Sequence, residues 1–146
     1  MKHTTIIDEG RDEEVVIYAR RRTKDIEALE AYVEQMSTDL IGYGESGEIV
    51  RLRPADVICF FVDDGKVFAL TESERLTVRL PLYAVEDMLD ESFVKINQSC
   101  IGNIRKIDRF HPSIGGSLMV IFHGGHRDYV SRRQLKTVKE RIGFRL

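Results

Sequence analysis

Short apolar runs separated by turn-forming residues constrain this chain most strongly, because each run is too short for a typical helix and several alternate with polar residues. The run VICFFV at 57–62 is almost continuously apolar and is predicted to be a strand buried on both faces. The turn sequence DDGK at 63–66 follows it, and Gly65 is expected to take a positive φ. We therefore predict an α+β chain that is mostly β, with further strands at 40–44, 48–53, 67–70, 75–80, 107–112, 117–122 and 127–130.

Two short helices are predicted within this strand-rich region. Pro81 can open a helix at 82–89. Ser131 is predicted to cap a last helix from Arg132 to Ile142, which Gly143 ends. The residues expected to face the interior of the fold from these two helices are Leu82, Val85, Leu89, Leu135 and Val138.

Residues 1–39 are predicted to form a small strand-helix leader that precedes the main domain at 40–146. The β-branched run EVVIYA at 14–19 is typical of a strand. Thr23 can cap a helix that extends to Ser37. Its apolar residues form a stripe that needs a partner surface, either the following sheet or a second copy of the chain: Ile26, Leu29, Val33 and Met36.

Charge is distributed unevenly along the chain, although the net charge is only -2. From Lys95 to Leu146 there are eleven Lys or Arg residues and three acids, a surplus of eight positive charges. Residues 1–50 carry twelve acids and six basic residues. A basic C-terminal third of this kind predicts a face that binds a polyanion. The polar side chains among the cations favour specific recognition of that polyanion in addition to electrostatic binding.

Metal and acid-base chemistry receives little support from the sequence. Asp63 and Asp64 precede a glycine between two strands, which is typical of a turn rather than of a metal site. His123 and His126 lack further ligands at suitable spacing and are interpreted as polar turn residues. No nucleophile is found beside a base, so we predict neither an enzyme nor a metal or cofactor site.

The two cysteines are too few and too far apart to indicate a disulfide framework. Cys59 lies in the run VICFFV and is expected to be a buried thiol. Cys100 follows the polar elbow Asn97-Gln98-Ser99, so partial exposure and the faster reaction with a thiol reagent are expected there. The sequence has neither a bilayer-length apolar run nor a secretion signal, and the cytoplasm is the expected location.

From about Leu40 to Phe144 the sequence resembles a LytTR DNA-binding domain, the effector domain of LytR/AlgR-type bacterial transcription regulators. The resemblance rests on FVKINQSCIGN at 93–103 and VSRR at 130–133, in this order. Lys95, Asn97 and Gly102 stand where the family pattern has Arg, His and Val. Because only a short leader precedes the match, the chain is similar to the stand-alone members of the family.

The resemblance implies an elongated antiparallel β-fold whose loops, rather than a recognition helix, enter successive major grooves of DNA. Gln can contact adenine and Arg can contact guanine through paired hydrogen bonds. The side chains expected to read bases are therefore Gln98, Arg133 and Lys66. Those expected to hold phosphates are Ser99, Ser131, Arg132, Gln134 and Lys136. Asn103 is expected to brace the elbow rather than to touch DNA.

The expected function is that of a bacterial transcription regulator that binds promoter repeats in double-stranded DNA as a homodimer, without a small-molecule substrate. The resemblance to stand-alone members also implies a small membrane protein that restrains the regulator. An alternative is a protein-interaction module that acts on another regulator through the acidic leader without binding DNA. A DNA titration at two salt concentrations separates the two, because only phosphate contacts require a steep salt dependence.

Overall fold

The computed structural model describes residues 1–12, 14–36 and 40–144, without side-chain detail for 34–36. The chain divides into two compact units, residues 1–38 and 39–146. Antiparallel β-sheet with a few short helices makes up the larger unit, as predicted. Across the described ranges, none of the helices combines the length and the apolar character that crossing a bilayer requires.

The helix of the smaller unit is α1 (Lys24–Met36), and its predicted start is confirmed. The Thr23 Oγ1 atom accepts a hydrogen bond from the Ile26 N–H at 3.3 Å, and the Thr23 carbonyl accepts one from the Glu27 N–H at 3.0 Å. These bonds satisfy amide groups that a helix start leaves without an intrahelical acceptor. The predicted end at Ser37 lies outside the described residues.

The predicted strand at 14–19 is wrong, because these residues have no regular secondary structure. Val15, Val16 and Tyr18 are 63%, 57% and 94% exposed. β-branched residues favour extended backbone, but a strand forms only when a neighbouring strand completes its hydrogen bonds. Among the described strands, none pairs with this segment.

The larger unit contains ten short strands, two α-helices and two 3-10 helices (Pro54–Asp56 and Ile104–Lys106) within the described residues. The elements are β1 (Leu40–Tyr43), β2 (Ile49–Leu52), β3 (Val57–Asp63), β4 (Lys66–Thr71), β5 (Arg75–Val78), α2 (Leu82–Met88), β6 (Phe93–Asn97), β7 (Cys100–Asn103), β8 (Ile107–Pro112), β9 (Leu118–Phe122), β10 (Arg127–Val130) and α3 (Leu135–Ile142). The bounds of eight strands and of α2 agree with the predicted runs to within two residues, and α3 begins three residues later than predicted. Strands β6 and β7, on either side of the elbow, were not predicted.

Strands β1 to β7 form one sheet in the order β2-β1-β5-β4-β3-β7-β6, and β8 to β10 form a second sheet in the order β10-β9-β8. All neighbouring strands are antiparallel. The β3–β4 turn has a φ of 50° at Asp64 and 73° at Gly65, so the predicted positive φ at Gly65 is confirmed. Two positive φ values in succession match the right-handed twist of the joined strands.

Two apolar clusters hold the larger unit together. One contains Phe60 and Leu76 and includes Val85 of α2. The other contains Ile96 of the large sheet, Phe122 of the small sheet and Val138 of α3. Strand β3 contributes to both clusters, so it is buried on both faces over residues 57–60, as the run VICFFV predicts.

The two sheets approach each other closely at Gly102. A Cβ atom at this position would lie 2.8 Å from Cζ of Phe122, which is shorter than a normal van der Waals contact. The Phe122 ring therefore occupies the space that the family pattern fills with Val at position 102. Glycine is required here because of packing.

The predicted cap of the last helix is wrong. Residues 132–134 form a turn, α3 begins at Leu135, and Gln134 precedes it without a side-chain capping bond. It is the Ser131 carbonyl, not its hydroxyl, that accepts hydrogen bonds from the N–H groups of Gln134 and Leu135, at 3.0 and 3.1 Å. The end of α3 is as predicted, with Gly143 at a φ of 84°.

Candidate nucleic-acid interface

Three polar segments meet beside the edge of the large sheet: the β3–β4 turn, the elbow at 97–99 and the turn at 131–134. The Val62 N–H donates to the Ser99 carbonyl at 2.9 Å, which ties the end of β3 to the elbow. The Ser131 N–H donates to the Ile96 carbonyl at 3.0 Å, which ties the third segment to the strand that enters the elbow. The elbow thus lies between the other two segments.

Asn97 holds the elbow in place through its side chain. Its Nδ2 group donates to Oδ1 of Asp128 at 2.9 Å and to the carbonyl of Tyr129 at 2.8 Å. Its Oδ1 atom accepts a hydrogen bond from the Ser99 N–H at 2.8 Å. Asn97 therefore fixes the turn that presents Gln98 and also connects this turn to β10.

The side chains predicted to meet DNA are mostly exposed on these segments. Lys66 stands at the start of β4, paired with Asp63 across the first turn. Gln98 and Ser99 form the exposed tip of the elbow. Arg132 and Arg133 are exposed in the turn before α3, and Lys136 is exposed in its first turn.

Two residues of the predicted phosphate-holding set are half-buried. Ser131 connects β10 to the third segment, and its backbone is fully engaged there. Gln134 lines a cavity of about 710 Å³ beside α3, together with Thr137 and Arg141. The predicted phosphate-holding residues Ser99, Arg132 and Lys136 are therefore exposed, whereas Ser131 and Gln134 lie closer to the interior.

Cations lie in or beside two of the three segments, although Asp63 and Asp64 share the β3–β4 turn with Lys66. In the described part of the chain, no ion pair involves Lys66, Arg132, Arg133 or Lys136. Several like charges without counterions on neighbouring loops produce a positive potential, which attracts polyanions. The surplus counted in the sequence is thus present as a surface feature.

Asn103 is buried, with 2% of its surface exposed. Its Nδ2 group donates to the Val57 carbonyl at 2.9 Å, and its Oδ1 atom accepts from the Arg105 N–H at 3.0 Å. The Asn103 side chain therefore hydrogen-bonds to backbone groups, as expected. It does so at the end of β7 that is far from the elbow. Asn97 is the residue that braces the elbow, and sequence reasoning missed this role.

The expected partial exposure of Cys100 is wrong, because Cys59 and Cys100 are both fully buried. A hydrogen bond with Cys100, and then one with His126, lowers the pKa of Cys59 to about 6. The hydrogen bond with Cys59 and burial raise the pKa of Cys100 well above its ordinary value. Burial shields both thiols, so the expected order of reaction with a thiol reagent has no structural basis.

His126 is more than a turn residue. It is half-buried, and its ring centroid lies 5.2 Å from that of Phe61 and 6.0 Å from that of Phe122. Its hydrogen bond with Cys59 raises the pKa of His126. Among the described residues, no cluster of three or more metal-ligating side chains is present.

A further feature that sequence reasoning missed is the pairing of arginines with aromatic rings on the large sheet. The Arg79 guanidinium lies 3.8 Å from the centroid of the Tyr43 ring, and both residues line a cavity that also includes Lys66. The Arg75 guanidinium lies 3.6 Å from the Phe68 centroid. Contacts of this kind hold exposed guanidinium groups in defined positions.

A family model described as "LytTr DNA-binding domain" matches residues 47–143 of the chain. The chain belongs to the LytTR family. The LytTr DNA-binding domain from Bacillus cereus has a TM-score of 0.68 with this structure at 20% sequence identity. The match covers 74% of this chain and 100% of that domain, so the LytTR fold is shared.

Relatives of this LytTR protein occur in Staphylococcus aureus. An uncharacterized HTH-type transcriptional regulator of strain NCTC 8325 is 30% identical over 147 residues, which cover 99% of both chains. A second, from strain MW2, is 33% identical over 108 residues, with 74% of this chain and 73% of that protein covered. These relatives are named as HTH-type regulators, but in the described residues each of the first two α-helices is followed by a strand and α3 is the last element.

Proposed function

We propose that this LytTR protein is a transcription regulator that binds specific duplex DNA with the three segments at the sheet edge. Gln98 and Arg133 read base edges, with Lys66 as a third reader. Phosphate contacts come from Ser99, Ser131, Arg132, Gln134 and Lys136. The observation that carries the proposal is the set of hydrogen bonds that joins three exposed polar segments of separate sequence position, two of which carry cations.

The physical argument is preorganisation. A loop that reads bases must hold its side chains within hydrogen-bonding distance of a rigid duplex, and ordering a flexible loop on binding costs free energy. Here the backbone bonds from Val62 to Ser99 and from Ser131 to Ile96 order the loops before DNA arrives. The free energy of DNA contact is then available for affinity and discrimination.

We further propose that residues 40–146 bind DNA, that residues 1–39 promote a homodimer, and that the protein acts in the cytoplasm. A regulator that binds repeated half-sites gains affinity as a homodimer, because each copy of the protein then binds one half-site. Exposed apolar residues of the smaller unit, such as Leu29 and Tyr32, are available to support the homodimer. The restraining membrane protein rests on the resemblance to stand-alone regulators alone.

The test is a titration of purified protein with a duplex chosen by genome-wide footprinting, at 50 and 200 mM salt. Four exposed cations at the interface predict a loss of affinity of roughly 100-fold per protein copy between these salt concentrations. A scrambled duplex of the same length provides the control for specificity. Affinity that is weak and independent of salt for every duplex would favour the interaction module acting through the leader.

A further inference from the structure

The end of the large sheet that carries the β3–β4 turn and the elbow continues to the last residues of β5 and β1. Neighbouring strands of this sheet are antiparallel, so the end of β1, the end of β5, the start of β4 and the end of β3 lie together there. Val67 of β4 pairs with Val78 of β5. The next residues outward, Lys66 and Arg79, therefore come opposite each other on neighbouring strands.

Alternation along the strands places Lys66 and Arg79 on the sheet face opposite to the cluster that contains Phe60. Val67 and Val78 belong to that cluster, and the residues beside them in sequence belong to the other face. Tyr43 lies on the same face as Arg79, because it pairs with Thr77. These residues line a cavity of about 660 Å³ at the sheet end.

The cavity is cationic. Among the described residues that line it, Lys66 and Arg79 carry a positive charge and none is an acid. In the described ranges, Arg79 resembles Lys66 in that no ion pair involves it. Two neighbouring cations without counterions attract an anionic group to the space between them.

Three acids flank the cavity without lining it. Asp63 pairs with Lys66 across the β3–β4 turn, but its carboxylate is bound by Arg75 at 3.1 Å. Asp64 lies in the same turn, and the Glu48 carboxylate lies beside Gly44, a lining residue. The flanking acids oppose the attraction of the two cations, so removing one of them should have the opposite effect to removing Arg79.

The Arg79 guanidinium is held in place before any ligand binds. It lies 3.8 Å from the centroid of the Tyr43 ring, although the Arg79 side chain is exposed. A ring contact restricts a long side chain that would otherwise lose conformational freedom on binding. Guanidinium groups donate paired hydrogen bonds to phosphate oxygens, so this arrangement suits a phosphate ligand.

We propose that Arg79 holds a phosphate of the bound duplex and that Tyr43 positions its guanidinium for this contact. The inference rests on the proposed function and deepens it, because it extends the DNA surface from the β3–β4 turn to β5. The occupant of the cavity is one phosphodiester group of the DNA. Neighbouring strands lie about 4.8 Å apart, so this contact lies one strand spacing beyond Lys66, on the side away from the elbow.

The first test compares Arg79→Ala with wild type on a duplex with one half-site and on a scrambled duplex. A phosphate contact carries no sequence information, so both duplexes should lose affinity alike, by about tenfold at 50 mM salt. The loss should shrink to about threefold at 200 mM, because one phosphate contact fewer reduces the salt dependence by about one counterion. Ethylation interference should disappear at a phosphate on one flank of the half-site.

The matched control is Arg105→Ala. It removes the same charge from an exposed residue that follows Asn103, at the end of β7 that is far from the elbow. Salt screens charges over about 10 Å at 0.1 M, so this variant should change the affinity by less than about twofold. Arg79→Lys retains the charge without the paired donors, and it should keep the salt dependence while losing about threefold in affinity.

A double-mutant cycle tests the role of Tyr43. Tyr43→Leu removes the ring and should weaken binding to both duplexes by about threefold, whereas Tyr43→Phe keeps the ring and should bind like wild type. Tyr43→Leu should cause no further loss in the Arg79→Ala protein, because the ring acts through Arg79. Glu48→Gln should raise the affinity for both duplexes by about twofold, since it removes a flanking negative charge.

The outcomes separate this inference from the proposed function. Wild-type affinity and salt dependence in Arg79→Ala overturn the Arg79 contact and leave DNA binding by the three segments standing. Equal losses in Arg79→Ala and Arg105→Ala also overturn it, because net charge would then explain both. A loss confined to the specific duplex would make Arg79 a base reader and not a phosphate holder. Wild-type protein without salt-dependent binding to any duplex overturns both the inference and the proposed function.

Discussion

The Nδ2 group of Asn97 lies 2.9 Å from Oδ1 of Asp128, and this bond joins two residues that are 31 positions apart in sequence. The same amide group donates to the Tyr129 carbonyl, so one side chain holds the elbow against β10. The family pattern has His at this position. An amide can donate to two acceptors and accept one bond at once, which suits the three contacts that Asn97 makes.

Replacing Asn97 by Ala should lower both stability and specific DNA affinity. The change removes three hydrogen bonds and leaves the Tyr129 carbonyl without this donor, which should cost about 1–3 kcal/mol of unfolding free energy in a urea titration. Specific DNA binding should weaken further, because Gln98 then lies in an unordered loop. Asp128→Asn, which retains an oxygen acceptor, is the control and should have a smaller effect on both measurements. Unchanged affinity in a folded Asn97→Ala protein would show that the elbow does not need this brace.

Base readers and phosphate holders should differ in their dependence on DNA sequence. Gln98→Ala or Arg133→Ala should cost about 1–3 kcal/mol on the specific duplex and little on a scrambled one. Lys136→Ala should weaken binding to both duplexes alike and reduce the salt dependence. Fluorescence anisotropy with the two duplexes measures all three. If the three variants lose affinity equally on both duplexes, the assignment of base readers is wrong.

Gly102 and Phe122 should behave as a coupled pair. Gly102→Val introduces a Cβ into the space of the Phe122 ring and should destabilise the protein by about 1–3 kcal/mol. Phe122→Leu alone also destabilises, since it removes buried ring volume. The two changes together should cost less than the sum of the single changes in a double-mutant cycle. Simple additivity would indicate that the backbone moves to accommodate the valine.

The raised pKa of His126 predicts a pH-dependent contribution to stability. A folded-state pKa above the ordinary value of 6.5 gives a stabilisation that is fully present below 6.5 and is lost as the pH rises through the folded-state pKa. The difference in unfolding free energy between wild type and His126→Gln should therefore be largest in mild acid and shrink with rising pH. The groups that face this imidazole are Cys59 and Asp128. In an NMR titration, Cys59→Ser should move the pKa of His126 back towards 6.5, and an unchanged pKa would exclude Cys59 as the cause.

Deleting residues 1–38 should separate DNA binding from cooperativity. The remaining residues contain both apolar clusters, so the protein should fold and bind one half-site. Without the proposed dimerisation segment it should lose cooperative binding to two half-sites, as measured by gel shift on duplexes with one or two sites. Retained cooperativity would place the dimer contact within residues 39–146.

Local signals in the sequence were sufficient to predict most of the secondary structure of the larger unit. Alternation and turn residues are properties of a few adjacent positions, and they predicted eight of the ten described strands of this unit and the positive φ at Gly65. The segment at 14–19 failed because pairing depends on a second strand that local sequence does not describe. Ser131 failed as a cap because residues 132–134 form a turn that closes on the Ser131 carbonyl, so α3 begins only at Leu135.

The sequence suggests candidate residues for the site but not the contacts that hold them in place. Gln98 and Arg133 follow from the motif and from the chemistry of base recognition. The brace at Asn97 and the burial of Cys100 both depend on contacts between distant parts of the chain. No spacing in the sequence encodes those contacts.

The bonds from Val62 to Ser99 and from Ser131 to Ile96 join backbone atoms only. Substitutions at the exposed tips can therefore leave the distance between the tips unchanged. Gln98 and Arg133 can therefore be replaced while the backbone hydrogen bonds that position them remain. If the tips read bases as proposed, a lineage that keeps these two backbone bonds can acquire new operators one base at a time, with each step altering which bases are recognised and not how far apart they lie.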